Sequence, residues 1–343
     1  MKLNSIKKMI SMALIASVLL TGCAQGTAQT TEPKQEPEEQ TAEEKADKSF
    51  TIGISQLVEH PALDASRQGF IDEMKSLGVN VEFLEQNAQG DIANAQMIAE
   101  KFIKDDVDMI FTIATLSAQA AKQAIEGTDI PMVFTAVTDP VFSQLVSDLN
   151  VTDKNITGVV DAAPIKENLE LFKELKEDIK TIGIIFNIGE SNSEVQVEQT
   201  KEIAKELGLE IETVGISSVN DIPQAVDTIS KKADALYIIT DNMVASSISL
   251  VAKLAQESGL MTVSADGSHV AEGIMVSKGI SYYEIGKQTA VIAKQVLIDK
   301  KNIADIPVQA SDNLEKLVNV KTAEALGFSK EHKAFDGAEF IEQ

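Results

Sequence analysis

Two α/β lobes, each a doubly wound parallel sheet, joined by a hinge that the chain crosses three times, are the fold this sequence predicts. Three observations carry the prediction. Past residue 50, short β-rich runs alternate with longer helical patterns, which is the grammar of βαβ units. The pattern then occurs a second time. Residues 103–115 (IKDDVDMIFTIAT) lie over residues 229–241 (ISKKADALYIITD) without a gap, each stretch ending a helix, turning at an aspartate (Asp108, Asp234) and entering an apolar strand. Finally, the segments that follow the strands are rich in Ser, Thr, Asn, Asp and Gly, the composition of loops that bind rather than merely connect.

The elements follow in order. Phe50 to Ser55 reads as a strand, and Pro61 opens a helix with Leu63, Phe70, Met74 and Leu77 on one face, closed by Gly78. Val79 to Leu84 is a strand, Asp91 caps a helix running to Lys104, and Asp108 to Ala114 is a buried strand. A helix over 117–126 and a strand over 130–136 complete the first half. In the second half, strands are expected over 181–187, 210–215, 235–240 and 260–264. Helices are expected over 193–207 (closed by Gly208), from Asp221 onward, and over 243–258. The crossings between lobes are expected near 138–160, near 265–278 and after Pro307, where Leu317 to Val320 reads as a returning strand. The first lobe is therefore expected to hold 49–137 and about 266–310, the second about 160–265 and about 280–328.

Ahead of this body stands a different kind of sequence. Lys2, Lys7 and Lys8 precede a short apolar run from Met9 to Leu20, which is too short for the ~20 residues of a membrane-spanning helix. Leu20-Thr21-Gly22-Cys23 then matches a bacterial lipobox, so residues 1–22 read as a lipoprotein signal peptide and Cys23 as the lipidated new N-terminus. Cys23 is the chain's one cysteine, so it has no disulfide partner within the chain. Residues 23–48, rich in Gln, Thr, Glu, Ala and Pro, cannot bury enough apolar surface to fold and read as a disordered tether. The expected location is the outer face of the cytoplasmic membrane, or the periplasm if an outer membrane is present.

Composition excludes several functions. Fifty-three acidic against thirty basic residues leave a net charge of −23, with no basic stripe after the leader, which argues against nucleic acid. Three histidines and no further cysteine offer little material for a metal site, and His269 with Glu272 reads as a pair of polar residues on the surface. No G-x-G-x-x-G or P-loop pattern is present, and Ser193 stands where a nucleophile elbow would need its second glycine. No cofactor and no enzymatic activity are expected.

In open parallel sheets, ligands sit beyond the carboxyl ends of the strands. Thr115-Leu116-Ser117-Ala118 opens a helix directly after a strand, so free N–H groups, the helix dipole and hydroxyls suit a carboxylate. Gly189 to Ser193 does the same in the second lobe. Asp241-Asn242 offers an acidic acceptor at the place equivalent to Thr115, with Asp139 and Asp266 as further candidates. An anion cradle facing an aspartate across a cleft fits an amino-acid zwitterion. Asp241 is expected to be a cleft aspartate that pairs with ammonium and contributes little to folding. His60, ahead of Pro61, and Gln56 stand near the same cleft.

Residues 52–64 (IGISQLVEHPALD), 134–140 (FTAVTDP) and 189–193 (GESNS), with Asp241-Asn242, resemble an ABC-transporter substrate-binding family of lipoproteins with the type I periplasmic-binding-protein fold. The resemblance spans about Phe50 to Phe328, and its members with these segments are associated with tryptophan and tyrosine. Leu116 departs from the proline that commonly opens that helix in the family. The resemblance implies a solute-binding protein that passes an aromatic L-amino acid to a membrane permease. It implies ligand contacts from Ser55, Gln56, His60, Thr115, Leu116, Ser117, Ala118, Thr138 and Asp139 in one lobe. Ser191, Asn192, Ser193, Asp241, Asn242 and Asp266 would face them from the other, with Leu57, Phe134, Phe142 or Phe186 lining the side-chain slot. A nucleoside-binding or sensory lipoprotein of the same fold, and less so an exported hydrolase, are the alternatives.

Overall fold

The structure, a computed structural model, describes residues 49–150, 155–311 and 314–342; the signal peptide, Cys23 and the tether lie outside them. The chain runs β1 (Phe50–Gln56), α1 (Pro61–Ser76), β2 (Val81–Asn87), α2 (Ile92–Lys104), β3 (Met109–Ile113), α3 (Thr115–Ala124), β4 (Met132–Val137) and β5 (Ile156–Val160). A second series follows: α4 (Ile165–Leu175), β6 (Thr181–Asn187), α5 (Ser191–Leu207), β7 (Glu210–Ile216), α6 (Ile222–Ser230), β8 (Ala235–Ile238), α7 (Asn242–Ala245), α8 (Ile248–Glu257), β9 (Met261–Asp266), α9 (Ser268–Ala271) and β10 (Val276–Ile280). The chain ends with α10 (Tyr282–Leu297), β11 (Gln309–Ala310), β12 (Leu314–Asn319), α11 (Val320–Ala325) and β13 (Glu339–Ile341).

The first sheet has the strand order β11-β5-β4-β3-β1-β2 and the second β13-β12-β10-β9-β8-β6-β7. Five strands in each share one topology, 2-1-3-4-5 against 7-6-8-9-10, all parallel; β12 joins antiparallel to β10. The duplication expected from the sequence is thus structural. It extends to detail: Asp108 accepts from the Thr51 amide at 2.9 Å, and Asp234 from the Lys180 and Thr181 amides at 3.0 Å. Each aspartate pins the start of the neighbouring strand in its lobe, and those strands share the four-residue run Thr51-Ile-Gly-Ile54 and Thr181-Ile-Gly-Ile184. In both doubly wound sheets the strand order reverses between the first and third strands, so β1 and β3, and likewise β6 and β8, diverge at the ligand crevice.

Every sheet is covered on both faces. Ile52, Ile54, Met109, Phe111 and Ile113 pack under α1 and α10, where Phe70 stacks on Phe111 at 3.9 Å between ring centroids. Ile110, Met132 and Phe134 face α2 and α3. The second lobe repeats this with α4 and α5 on one side and α6 and α8 on the other. Strand residues alternate between the two cores because successive side chains point to opposite faces. α1 and α10 pack backbone to backbone. Cβ atoms added at Gly69 and Gly286 would stand 2.1 Å from the Tyr283 carbonyl oxygen and 2.0 Å from that of Ser66.

Two expectations need correction. The first two crossings fall at about 161–164 and 281, because β5 is still part of the first sheet while β9 and β10 belong to the second; the third lies between β11 and β12, after Pro307 as expected. The first lobe therefore takes 281–311 and the second 266–280 and 314–342. Polar, glycine-containing sequence around Asp266 looks like a hinge, yet it is the strand-end loop of β9. The helix expected over 243–258 is broken after Ala245, where the Ser246 hydroxyl donates to the Met243 carbonyl at 2.8 Å and competes with the helical ladder.

Candidate ligand-binding cleft

The carboxyl ends of the two sheets face each other across a small polar cavity. From the first lobe come His60, at the N-cap of α1, with Leu63, Ala136 and Thr138. From the second come Asn192, Thr240, Asp241, Asn242, Ala245, Asp266 and His269, and from the hinge Asp161 and Tyr282. The lobes are drawn together: His60 Nε2 lies 3.3 Å from Asn242 Oδ1, and the Thr138 and Thr240 hydroxyls 3.4 Å apart. The space left among these groups is about 20 Å³, roughly the room of one water molecule. A larger groove of about 800 Å³ lies on the first lobe between α3 and β5. It is open, on one lobe only and away from the sheet ends, so it lacks the convergent buried polar groups of a ligand site.

Backbone strain marks the first-lobe wall. Ala114, after β3, has φ 82° and Ala136, in β4, has φ 55°, conformations that cost an L-residue about 1–3 kcal/mol. The first turns α3 so that it begins at Thr115, whose hydroxyl is buried without a partner. The Ser117 and Ser55 hydroxyls pair at 2.7 Å, and Ser117 also donates to the Ser55 carbonyl, tying α3 to β1.

A carboxylate network builds the second-lobe wall. Glu190, at the N-cap of α5 and only 3% exposed, accepts from the Asn242 side chain at 2.6 Å, from the amides of Asn242 and Met243, and from the Asn187 and Asn192 side chains. Asp241 caps α7, accepting from the Val244 amide at 2.9 Å, the Asn187 amide at 2.6 Å and the Ser193 hydroxyl at 2.7 Å. Burial first, and the nearby Glu190 second, push the Asp241 carboxyl up to about 7.

At the hinge, Tyr282 donates to Asp161 Oδ2 at 2.7 Å, joining the first crossing to the second. Asp161 Oδ1 has no hydrogen-bond partner. Burial raises this carboxyl above its ordinary range, and it lowers both His60 and His269, which favours neutral imidazoles. His269 is 1% exposed, with Nδ1 2.9 Å from the Ser264 hydroxyl and Nε2 3.2 Å from Asp266 Oδ2. It is a buried side chain of the second lobe, not the polar surface residue the sequence suggested.

Of the residues expected to face ligand, His60, Thr138, Asn192, Asp241, Asn242 and Asp266 line the cavity. Ser55, Gln56, Ser117 and Ser193 stand behind it. Gln56 donates to the Val58 carbonyl and Asp64, and Ser193 donates to Asp241. Ala118 is core and Leu116 packs against core, while Asp139 caps the turn after β4 by accepting from the amides of Val141 and Phe142. None of the expected slot residues lines this cavity. Phe134 and Leu57 are core, Phe186 packs on the second-lobe core and Phe142 is exposed, so Tyr282 is the aromatic lining the cavity.

Two lobes clamping a buried polar cavity at their sheet ends are the architecture of a type I solute receptor, and the comparisons agree. The ABC transporter substrate binding protein family matches residues 51–336. The chain belongs to this family. The family consists of substrate-binding proteins and not enzymes. A tyrosine-binding protein of Clostridioides difficile is 38% identical over 332 residues, covering 94% of this chain and 93% of that one. Among solved structures, an ABC domain from Streptococcus pneumonia in complex with L-Trp is 31% identical, with TM-score 0.79, covering 84% of this chain and 99% of that one. A ligand-free, open substrate-binding protein from Clostridium difficile is 38% identical but has TM-score 0.66, covering 85% and 99%. Lobe rotation lowers such a score. The poorer fit to the open form, despite its higher identity, agrees with the two cross-lobe contacts that the lobes here are closed.

Asp161, Tyr282 and Thr240 were missed by sequence reasoning. Thr240 had a signal, since it directly precedes Asp241 at the end of the repeated stretch. Asp161 and Tyr282 had none, because they come from crossing segments and not from strand ends of the repeat.

Proposed function

We propose that this protein captures an aromatic L-amino acid between its lobes and delivers it to an ABC permease while lipid on Cys23 holds it to the membrane. The observation that carries the reading is the closed interlobe cavity with buried hydrogen-bonding groups left over from both lobes and the hinge. The tyrosine-binding relative and the L-Trp complex support the ligand class. The ligand carboxylate is assigned to the first turn of α3, where the N–H groups of Thr115, Leu116 and Ser117 have no partner inside the helix and the Thr115 hydroxyl is unpaired. An amino acid exceeds the space now left, so it enters with the lobes apart, and closure follows from contacts made only when they meet.

A thermal-shift panel of amino acids, nucleosides and sugars tests the ligand class. L-Tyr or L-Trp is expected to raise stability by about 2.7 kcal/mol at a hundredfold excess over Kd; stabilisation by nucleosides or sugars alone would reject the reading. The anchor is tested separately in cells. Cys23→Ala is expected to move the protein from the membrane fraction to the soluble exported fraction, and unchanged membrane retention would remove the lipid from the account.

A further inference from the structure

A second concave space lies at the hinge. It holds about 260 Å³, against about 20 Å³ in the interlobe cavity, and its walls come from both lobes. The first lobe supplies Ala65 of α1 and Tyr283 of α10; the second supplies Gly267 and Ala271 around α9, with Leu317 of β12 and Ile341 of β13. None of the residues that meet across the cleft, His60, Thr138, Thr240 and Asn242, reaches this pocket. Only Asp266 and Tyr282 line both spaces, and the Tyr282 hydroxyl is engaged by Asp161, which lines the cleft alone. The second hinge crossing is thus the wall between them.

The chemistry of this pocket differs from that of the cleft. Its walls are mostly aliphatic, and no lysine or arginine lines it, while two carboxylates do. Asp266 is engaged by Ser268 and lies 3.2 Å from His269. Glu315 is not engaged. It is exposed at the rim, and among the described residues its carboxylate has neither a hydrogen bond nor an ion pair. A Cβ at Gly267 would stand 3.0 Å from Leu317 Cδ1 and 3.8 Å from Glu315 Oε2, so both side chains lie over that loop. The adjacent Lys316 projects from the other face of β12, where its Nζ donates to the Asp336 carbonyl at 3.3 Å. An aliphatic hollow with one unpaired carboxylate at its rim complements a small molecule that has an apolar body and a cationic head. An anion would meet two carboxylates, and a sugar would set its hydroxyls against walls that cannot bond them.

We infer that this hinge pocket is an effector site for a small amphiphilic amine, separate from the amino-acid cleft, whose occupation favours the closed arrangement. The physical reason is the origin of its walls. A molecule seated here touches α1 and α10 of one lobe and α9 and β12 of the other, surfaces that keep this spacing only while the lobes stand closed. It therefore binds the closed arrangement better than any other and shifts the chain toward it. The amino acid favours closure too, so each ligand is expected to raise the affinity of the other by the same factor. Only this coupling rests on the functional reading above; the pocket itself does not.

The test titrates hexylamine, and hexanoate as its anionic counterpart, calorimetrically into the full-length protein. Hexylamine is expected to bind saturably, and hexanoate at least about tenfold more weakly. Ala271→Trp, at an exposed position of α9, and Ala65→Leu, from the first-lobe side, each fill the pocket and are expected to abolish binding. Glu315→Gln is expected to weaken it about two- to fivefold, the effect of losing an exposed ion pair. At saturating hexylamine, affinity for whichever of L-Tyr and L-Trp binds is expected to rise at least about fivefold. The absence of saturable binding, binding that survives both filling variants, or hexanoate binding as well as hexylamine would overturn the site. Displacement of hexylamine by the amino acid would overturn it as well, because the amine would then be in the cleft. An amino-acid affinity that hexylamine leaves unchanged would overturn the effector role. If hexylamine binds at this pocket and neither amino acid binds the natural chain, the functional reading fails while the hinge site stands. Should one filling variant not fold, the other decides.

Discussion

Gly286→Ala is expected to be among the most damaging single-methyl additions to this protein. The new Cβ would lie 2.0 Å from the Ser66 carbonyl oxygen, 2.8 Å from its carbon and 3.0 Å from the Phe70 amide nitrogen, all backbone atoms of α1. A flexible side chain could turn away; a helix backbone cannot. α10 must move off α1, and the core that the pair covers, Phe70 stacked on Phe111, opens with it. Overpacking typically costs 1–3 kcal/mol, and a backbone clash on this scale belongs at or above the upper end, about 3 kcal/mol. For lobes of this size that lowers the melting temperature by roughly 6–12 °C. Gly69→Ala, facing the Tyr283 carbonyl at 2.1 Å, is expected to behave alike. Gly78→Ala supplies the contrast. Its φ of 68° disfavours alanine, but nothing lies within 4 Å, so about 1 kcal/mol is expected. Thermal unfolding of the three variants decides, and Gly286→Ala no worse than Gly78→Ala would refute the tight-joint argument. The consequence reaches function, because α1 begins at His60 and α10 at Tyr282, two residues of the cavity wall.

Much of this architecture was legible in the sequence because hydrophobic periodicity and strand-end composition are local signals. The ungapped overlay of 103–115 on 229–241 pointed to two sheets of one topology, and both aspartates in it do the same work on the neighbouring strand. Boundaries at the hinge were not legible. β10 and α10 adjoin in sequence but belong to different lobes, and only the pairing of β10 with β9 and the packing of α10 on α1 separate them. The site was legible as a set of loops, not as a set of contacts. Aspartates that begin helices look alike in sequence whether their oxygens face a ligand or the helix's own amides. Asp139 and Asp241 prove to be caps, and Asp161, preceding no helix it caps, carries the free oxygen.

That distinction reverses the expected result of Asp241→Asn. An exposed cleft aspartate would lose a ligand contact and leave folding alone. This one is 1% exposed and holds three donors, two on Oδ2 and one on Oδ1. Whichever oxygen becomes an NH2 group, a donor meets a donor: the Val244 amide on one side, the Asn187 amide on the other. Replacing that acceptor by a repulsive donor-to-donor contact is expected to cost about 1–3 kcal/mol of stability at pH 6. The loss should shrink as pH rises. Burial and Glu190 raise the carboxyl to about 7 in the folded chain, above its unfolded value of 3.8. The stability this group contributes is therefore fully present below the unfolded value and is lost as pH rises through 7, because the folded state holds the proton more tightly. His60 and His269, lowered by burial, act in the opposite sense, contributing stability above 6.5 that is lost on acidification. Both remain in the variant, so they largely cancel in the difference. Denaturant unfolding of the natural chain and Asp241→Asn at pH 6 and pH 8.5 isolates the carboxylate. Equal stabilities at both values, or a gap that widens with pH, would refute its role as a buried cap. Ligand affinity is expected to fall as well, but through structure: α7 begins at Asn242, the residue that reaches His60 across the cleft, and without its cap that contact is no longer held in place.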